Sequence, residues 1–246
     1  MSRLSGMRIA LTRSAEGNAS WAERLGELGA QPVCCDQLEH LPCEGNKEGL
    51  RLLLPHAEWL VPVSPRAVEA TVELAGADCL SGRRVACVGQ ATAEAARAVG
   101  ASVELVAPGG TARSLAEALL ERAMPDEVSL ALVARDGRPD LEEAFEAAGR
   151  RLASLAVHAT HAAPTARALP DVDAVLFASP SAVEATLARG PVPSGARVVA
   201  IGPTTAEALA AAGTPAHAVA ATRDLAGLLA ALESVLPSPD EHSPGS

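Results

Sequence analysis

The chain has 246 residues, 48% of them hydrophobic and 20% charged, which suits a soluble globular protein of one large domain or two small ones. Its formal net charge of −10 argues against nonspecific binding to nucleic acid or to a membrane surface. Aromatic residues make up only 2% and Tyr is absent, which disfavours base-stacking platforms and aromatic cages. An anionic ligand stays open, because a cleft can be locally positive.

In chain order, the N-terminus Met1–Arg8 lacks the apolar stretch of a secretory signal. No apolar run approaches the roughly 18 residues that a membrane-spanning helix needs. The chain therefore reads as cytoplasmic. Short apolar runs predict strands at 8–12, 31–35, 59–63, 84–88 and 103–106, then at 129–134, 152–157, 173–178, 197–201 and 216–219. Helical stretches fall between them, at 17–29, 66–75, 92–99, 112–123, 140–149, 181–189, 205–212 and 223–235. The apolar runs are continuous rather than alternating, as strands covered on both faces should be. Strand–helix alternation predicts an α/β fold with parallel sheets. From Pro237 to Ser246 the chain has little apolar content and reads as a disordered tail.

The chain also repeats itself. Trp59–Thr71 returns as Ala174–Thr186, 115 residues later, sharing Ser-Pro and Ala-Val-Glu-Ala-Thr. Ser81–Ala95 returns as Ser194–Ala208, sharing Ser-Gly, Arg-Val and Thr-Ala-Glu-Ala. More weakly, Ile9–Arg13 resembles Ala131–Arg135. Two copies of one pattern, at 7–125 and 128–235, make up the chain.

Both copies place polar residues just after strands, where open α/β sheets bind ligands. Ser64-Pro65 and Ser179-Pro180 open helices, Ser as N-cap and Pro in the first turn. Thr204 with Glu207 has the spacing of a capping box, and Ala91 stands where the first copy would need the Thr. Gly89 and Gly202 end strands where backbone can approach a ligand closely. Several helix N-termini at one sheet edge would suit carboxylates or phosphates, although each motif alone is also a generic helix start. Arg13, Arg135 and Arg138 follow strand ends and read either as solvated charges or as an anion clamp. Pro108-Gly-Gly-Thr111 is a turn before a helix, and neither a dinucleotide fingerprint nor a P-loop is present. His158 and His161 have no accompanying ligand cluster, so no metal is expected. Cys34, Cys35, Cys43, Cys79 and Cys87 show no C-x-x-C spacing and read as reduced structural thiols.

Taken in order, these motifs resemble those of the uroporphyrinogen-III synthases. The matching residues are Leu11-Thr12-Arg13, Ser64–Val68, Val88-Gly-Gln-Ala-Thr-Ala93, Gly110-Thr111, Ser179–Val183 and Ile201-Gly-Pro-Thr-Thr-Ala206, spread over roughly 7–235. The resemblance implies two similar flavodoxin-like domains joined by a two-strand hinge, with a ligand cleft between them. Domain one would be 1–36 plus 162–246, domain two 40–158, and the hinge strands 31–43 and 152–163. It also implies a monomeric, cofactor-free lyase acting on hydroxymethylbilane, a linear tetrapyrrole with eight carboxylates. The substrate would lose its hydroxyl as water, form an azafulvene cation, and close through a spiro intermediate that inverts ring D. Carried over residue by residue, the substrate-binding candidates are Thr12, Arg13, Ser64, Gly89, Gln90, Thr111, Ser179, Ser181, Gly202 and Thr204. His158 stands where the family usually has Tyr in a Val-Tyr-x-Thr pattern, which makes it the candidate general acid. Ala178 and Pro62-Val63 also depart from the family pattern. The alternative is a non-catalytic tetrapyrrole- or anion-binding paralogue; a periplasmic-type binding protein would need the missing signal peptide.

Overall fold

The computed structural model describes residues 2–237, so apart from Pro237 the tail expected from 237 onward lies outside the described residues. The chain divides into two compact units, Met1–Glu39 with His161–Ser246, and His40–Thr160. In chain order the first unit begins with β1 (Arg8–Leu11), α1 (Ala15–Glu27) and β2 (Gln31–Cys34). After β3 (Leu38–Pro42) the second unit runs through α2 (Lys47–Leu53), β4 (Trp59–Pro62), α3 (Pro65–Ala75), β5 (Arg84–Cys87), α4 (Gln90–Ala98), β6 (Ser102–Val106), α5 (Ala112–Arg122), β7 (Ser129–Ala134), α6 (Asp140–Ala147) and β8 (Leu152–Ala162). The chain then returns to the first unit with β9 (Ala174–Phe177), α7 (Pro180–Leu187), β10 (Arg197–Ala200), α8 (Pro203–Ala211), β11 (Ala218–Val219) and α9 (Leu225–Ser234).

The two sheets run β11-β10-β9-β1-β2 and β3-β8-β7-β4-β5-β6. The pairs β1–β2, β1–β9, β9–β10 and β10–β11 are parallel, as are β7–β8, β4–β7, β4–β5 and β5–β6. Each sheet therefore joins the first two strands of one sequence copy to the last three of the other, with β3 added at the edge of the second sheet. A cut between the copies would split both sheets. At the edge beside β8, the Cys43 amide donates to Val157 and the Ala163 amide to Gln37. One index rises as the other falls, so β3 runs antiparallel to β8.

Each sheet is buried on both faces, which is why the strands read as unbroken apolar runs. In the second unit Leu60, Val85, Leu130 and Leu132 pack with Ala67, Val68, Leu74 and Ala96 of α3 and α4. Their neighbours Trp59, Val61, Ala86 and Ala131 pack on the other face with Leu115, Leu119, Leu141 and Phe145 of α5 and α6. The first unit repeats the scheme: Ile9, Leu11 and Leu176 meet Leu25, Leu228 and Leu232, while Ala10, Val175 and Phe177 meet Val183 and Leu209. A fully buried Leu or Phe side chain contributes about 1.5–3 kcal/mol, so these four layers dominate the stability.

Ser14, Ser64, Ser179, Thr111 and Asp224 cap helices by accepting a backbone N–H through their side chains. Gly29 (φ 78°) and Gly100 (φ 81°) take the left-handed turn from helix to strand.

Four expectations need correction. Thr204 and Glu207 form no capping box: Gly202 is the N-cap of α8 and Pro203 takes the first position, leaving Thr204 already inside the helix. Helices α1, α4 and α8 start two residues earlier than the apolar periodicity indicated. Strand β8 continues to Ala162, well past 157. The segment 38–56 holds β3, α2 and two single 3-10 turns that composition did not reveal.

Candidate active site

In an open parallel sheet the ligand crevice lies beyond the carboxyl ends of the strands, where the winding of the chain reverses. That point falls between β1 and β9 in the first unit and between β7 and β4 in the second. The site residues expected from sequence gather at these edges, six on one unit and four on the other. In the first unit Thr12 and Arg13 follow β1, Ser179 and Ser181 follow β9, and Gly202 and Thr204 follow β10. In the second, Ser64 follows β4, Gly89 and Gln90 follow β5, and Thr111 follows β6. His158 lies on β8 level with Ala134, the last residue of β7.

Not all of these side chains face outward. Thr12 is fully buried, and its hydroxyl donates to the Leu176 carbonyl at 2.9 Å, stitching β1 to β9. The Thr12 hydroxyl is thus engaged beneath the surface of this edge. Arg13 is half-buried and folds back over α1. Its Nη1 donates to the Gly17 carbonyl at 2.6 Å, and its guanidinium sits 4.1 Å above the Trp21 ring, a cation–π contact. Ser64 and Ser179 spend their hydroxyls accepting from Ala67 and Ala182. Thr111 and Ser114 cap each other reciprocally. Ser181 and Thr204 are exposed, and Gln90 reaches along α4 to Glu94 at 3.1 Å.

The glycine-capped helices differ from these. Neither α4 nor α8 has a side-chain cap bond, so their first-turn N–H groups, from Thr204 onward in α8 because Pro203 has none, keep their donors for a ligand, with the positive end of the helix dipole behind them. At Gly89 the backbone is extended (φ −158°), and no atom lies within 4 Å of where a Cβ would stand. Nothing inside the protein requires glycine there, which fits a close approach from outside. Over Gly202 lies Arg223, whose Nε would stand 3.3 Å from such a Cβ. Sequence reasoning missed this guanidinium, which motif matching cannot bring next to a glycine 21 residues away.

In the second unit the reversal point opens into a cavity of about 390 Å³, walled by Val63, Val88, Val133, Ala134 and Leu141 and rimmed by Thr111, Arg138, Asp140 and Glu142. Of the arginines left open by the sequence, Arg138 lines this cavity, while Arg135 donates to the Cys43 thiol at 3.5 Å. The repeat carried the one signal for the cavity, since it pairs Ala134 with Thr12. A larger cavity of about 860 Å³, beside Arg3, Asp173 and Arg197, lies at the opposite, amino-terminal end of the first unit's sheet. Arg3 there is spent on the carbonyls of Glu233, Leu236 and Pro237.

His158 is 7% exposed, and neither ring nitrogen has a hydrogen-bond partner. The His40 ring stands edge-on to it at 6.4 Å. Burial, and then the charge of Arg66, hold its pKa below the usual 6.5. His161, three residues on along a strand, points to the other face. Burial pushes Cys35 and Cys87 up to about 11, so neither is a nucleophile at neutral pH.

The family model for uroporphyrinogen-III synthase HemD matches residues 19–230, and the chain belongs to that family. It is similar to the uroporphyrinogen-III synthetase of Helicobacter pylori, at 16% identity and a TM-score of 0.61, over 94% of this chain and 100% of that one. It is also similar to a mutant uroporphyrinogen III synthase of Thermus thermophilus, at 18% identity and a TM-score of 0.54, over 93% of this chain and 98% of that one. No curated protein sequence matches it. The family's reaction, synthesis of a cyclic tetrapyrrole on the haem pathway, is accordingly the function assigned to this chain. No helix among the described residues is long and apolar enough to cross a membrane.

Proposed function

We propose that the chain is a cytoplasmic, monomeric lyase that needs no cofactor, closing hydroxymethylbilane to uroporphyrinogen III with loss of water and inversion of ring D. One observation carries the binding side of this reading: the N–H groups of α4 and α8, left without side-chain caps at the carboxyl edges of the two sheets. Backbone donors and helix dipoles hold carboxylates without a large net positive charge, which reconciles an octacarboxylate substrate with a chain of net charge −10. Gly89 and Gly202 give the substrate's acetate and propionate groups access to the backbone. Ser64, Ser179 and Thr111 fix the neighbouring helix starts, Gln90, Ser181 and Thr204 present polar side chains beside them, and Arg13 adds positive potential. Thr12 supports this edge from below.

The chemical task is to fold a flexible chain so that its ends meet, and to help hydroxide leave as water. His158 supplies the proton. Its unpartnered ring at the level of Ala134 supports the role, and its lowered pKa gives the role a signature. Imidazolium becomes scarce as pH rises, so kcat should fall along a basic limb with its midpoint below 6.5. In His158→Phe that limb should vanish and kcat drop by about 10²-fold, within the usual range for a lost general acid. A kcat profile identical to the wild type's would remove His158 from the chemistry.

The whole reading is tested by supplying hydroxymethylbilane and separating the porphyrin isomers after oxidation. Type III product is expected. Only type I, the isomer of spontaneous closure, would replace the synthase with a tetrapyrrole-binding protein of the same fold, a reading that family membership does not favour.

A further inference from the structure

We propose that the cavity at the carboxyl ends of β4 and β7 is a subsite for one pyrrole ring of the substrate, namely the ring that becomes cationic when the hydroxyl leaves. The proposal rests on the synthase reading above and names where in the second unit that ring sits.

Size comes first. At about 390 Å³ the cavity lies near the lower end of the roughly 300–1,000 Å³ of ligand pockets, room for a single ring with its short side chains and not for four. Its walls are next. Val63, Val88, Val133 and Leu141 form an apolar slot suited to the faces of a flat ring. The third feature is charge. Arg138, Asp140 and Glu142 on the rim sum formally to −1, a sign that suits a ring N–H or a positive ring.

Glu142 sharpens this. Its Oε1 accepts from Ser154 at 2.6 Å, which orients the carboxylate, while its Oε2 is shielded from water and has no partner. A buried carboxylate oxygen without a donor is poorly compensated. A developing cation alongside would supply the compensation.

The C–O bond of the hydroxymethyl group breaks with both electrons going to oxygen, which takes the proton from His158 and leaves as water. The ring's nitrogen lone pair fills the electron gap, so the positive charge spreads over the ring and its N–H. The carboxylates of Asp140 and Glu142 face that charge, and the ring's own acetate and propionate remain outside.

The test separates binding from chemistry in steady-state kinetics with hydroxymethylbilane. Ala134→Leu fills the cavity, and Val63→Phe fills it from a different strand in case the first disturbs β7. Each should raise KM about tenfold or more, with melting temperature within a few degrees of wild type. Glu142→Gln keeps an oxygen for Ser154 and removes the charge. It should lower kcat about tenfold and leave KM within twofold. Type III product from the wild type with unchanged KM in both filling variants overturns the subsite while the activity stands. A raised KM in the filling variants with unchanged kcat in Glu142→Gln overturns the assignment of the cationic ring. Type I product alone from the wild type overturns the synthase reading and the ring assignment with it.

Discussion

The two units reverse their winding in the same way, yet the side chains at the two reversal points differ. In the first unit Thr12 fills the seam and bonds the Leu176 carbonyl across it. In the second the repeat places Ala134 at the corresponding position, the register between β7 and β8 slips just before it, and a cavity remains. A hydroxyl engaged across the seam thus stands in one copy where the other has a methyl group beside a cavity. Duplicated folds can divide labour in this way. On the proposed reading, one sheet edge offers mainly backbone donors, and the other offers backbone donors plus a slot for a ring.

The largest effect that would break this comparison is at Thr12. Thr12→Ala leaves the buried Leu176 carbonyl without its side-chain donor and should cost about 1–3 kcal/mol, read by denaturant unfolding, while KM stays unchanged. A raised KM at wild-type stability would return Thr12 to the ligand. Next is Gly89→Val. The extended backbone and the empty space around the missing Cβ should leave the melting temperature as it is, while kcat/KM falls at least tenfold, about 1.4 kcal/mol or more. If kcat/KM is unaffected, nothing approaches the α4 N-terminus. Smaller and symmetric are the two serine caps: Ser64→Ala and Ser179→Ala should each lose about 1 kcal/mol, equally in the two units. A large inequality would show that one serine does more than cap its helix.

Much of the fold was legible because burial on both faces leaves a strong mark. Trp59, Leu60 and Val61 are all apolar even though they alternate between two cores. Serine caps were legible too, since a side-chain acceptor before Pro65 or Pro180 has one obvious use. Glycine caps were not, because a residue without a side chain gives no local signal. Thr204 and Glu207 then offered a spurious box. Strand β3 fell within the hinge strand that the resemblance implied, but the helix α2 stayed hidden for a different reason. Its buried contribution is Leu50, too little to set a period. Threonine at a strand end reads the same whether it faces ligand or core, so the burial of Thr12 had no sequence signature. The cavity beside Ala134 had one faint signal, the repeat that pairs Ala134 with Thr12.

The smallest expected effect concerns pH and belongs to the second unit alone. The folded-state pKa of His158 is lowered, so between that value and the unfolded 6.5 the unfolded chain binds the proton and the folded chain does not. The associated stability is complete above pH 6.5 and is lost as pH falls toward the folded-state value. Thermal melts from pH 7.5 down to 5 should therefore decline more steeply in wild type than in His158→Phe. Parallel slopes would mean that His158 protonates equally easily in both states.

The most direct measurement is a crystal structure with uroporphyrin III, the oxidised form of the expected product, bound to the chain. Carboxylates are expected against the first-turn amides of α4 that follow Gly89, and pyrrole density at the mouth of the Val63–Val133 cavity. Density instead beside Arg3 and Arg197, at the amino-terminal edge of the first sheet, would contradict that placement.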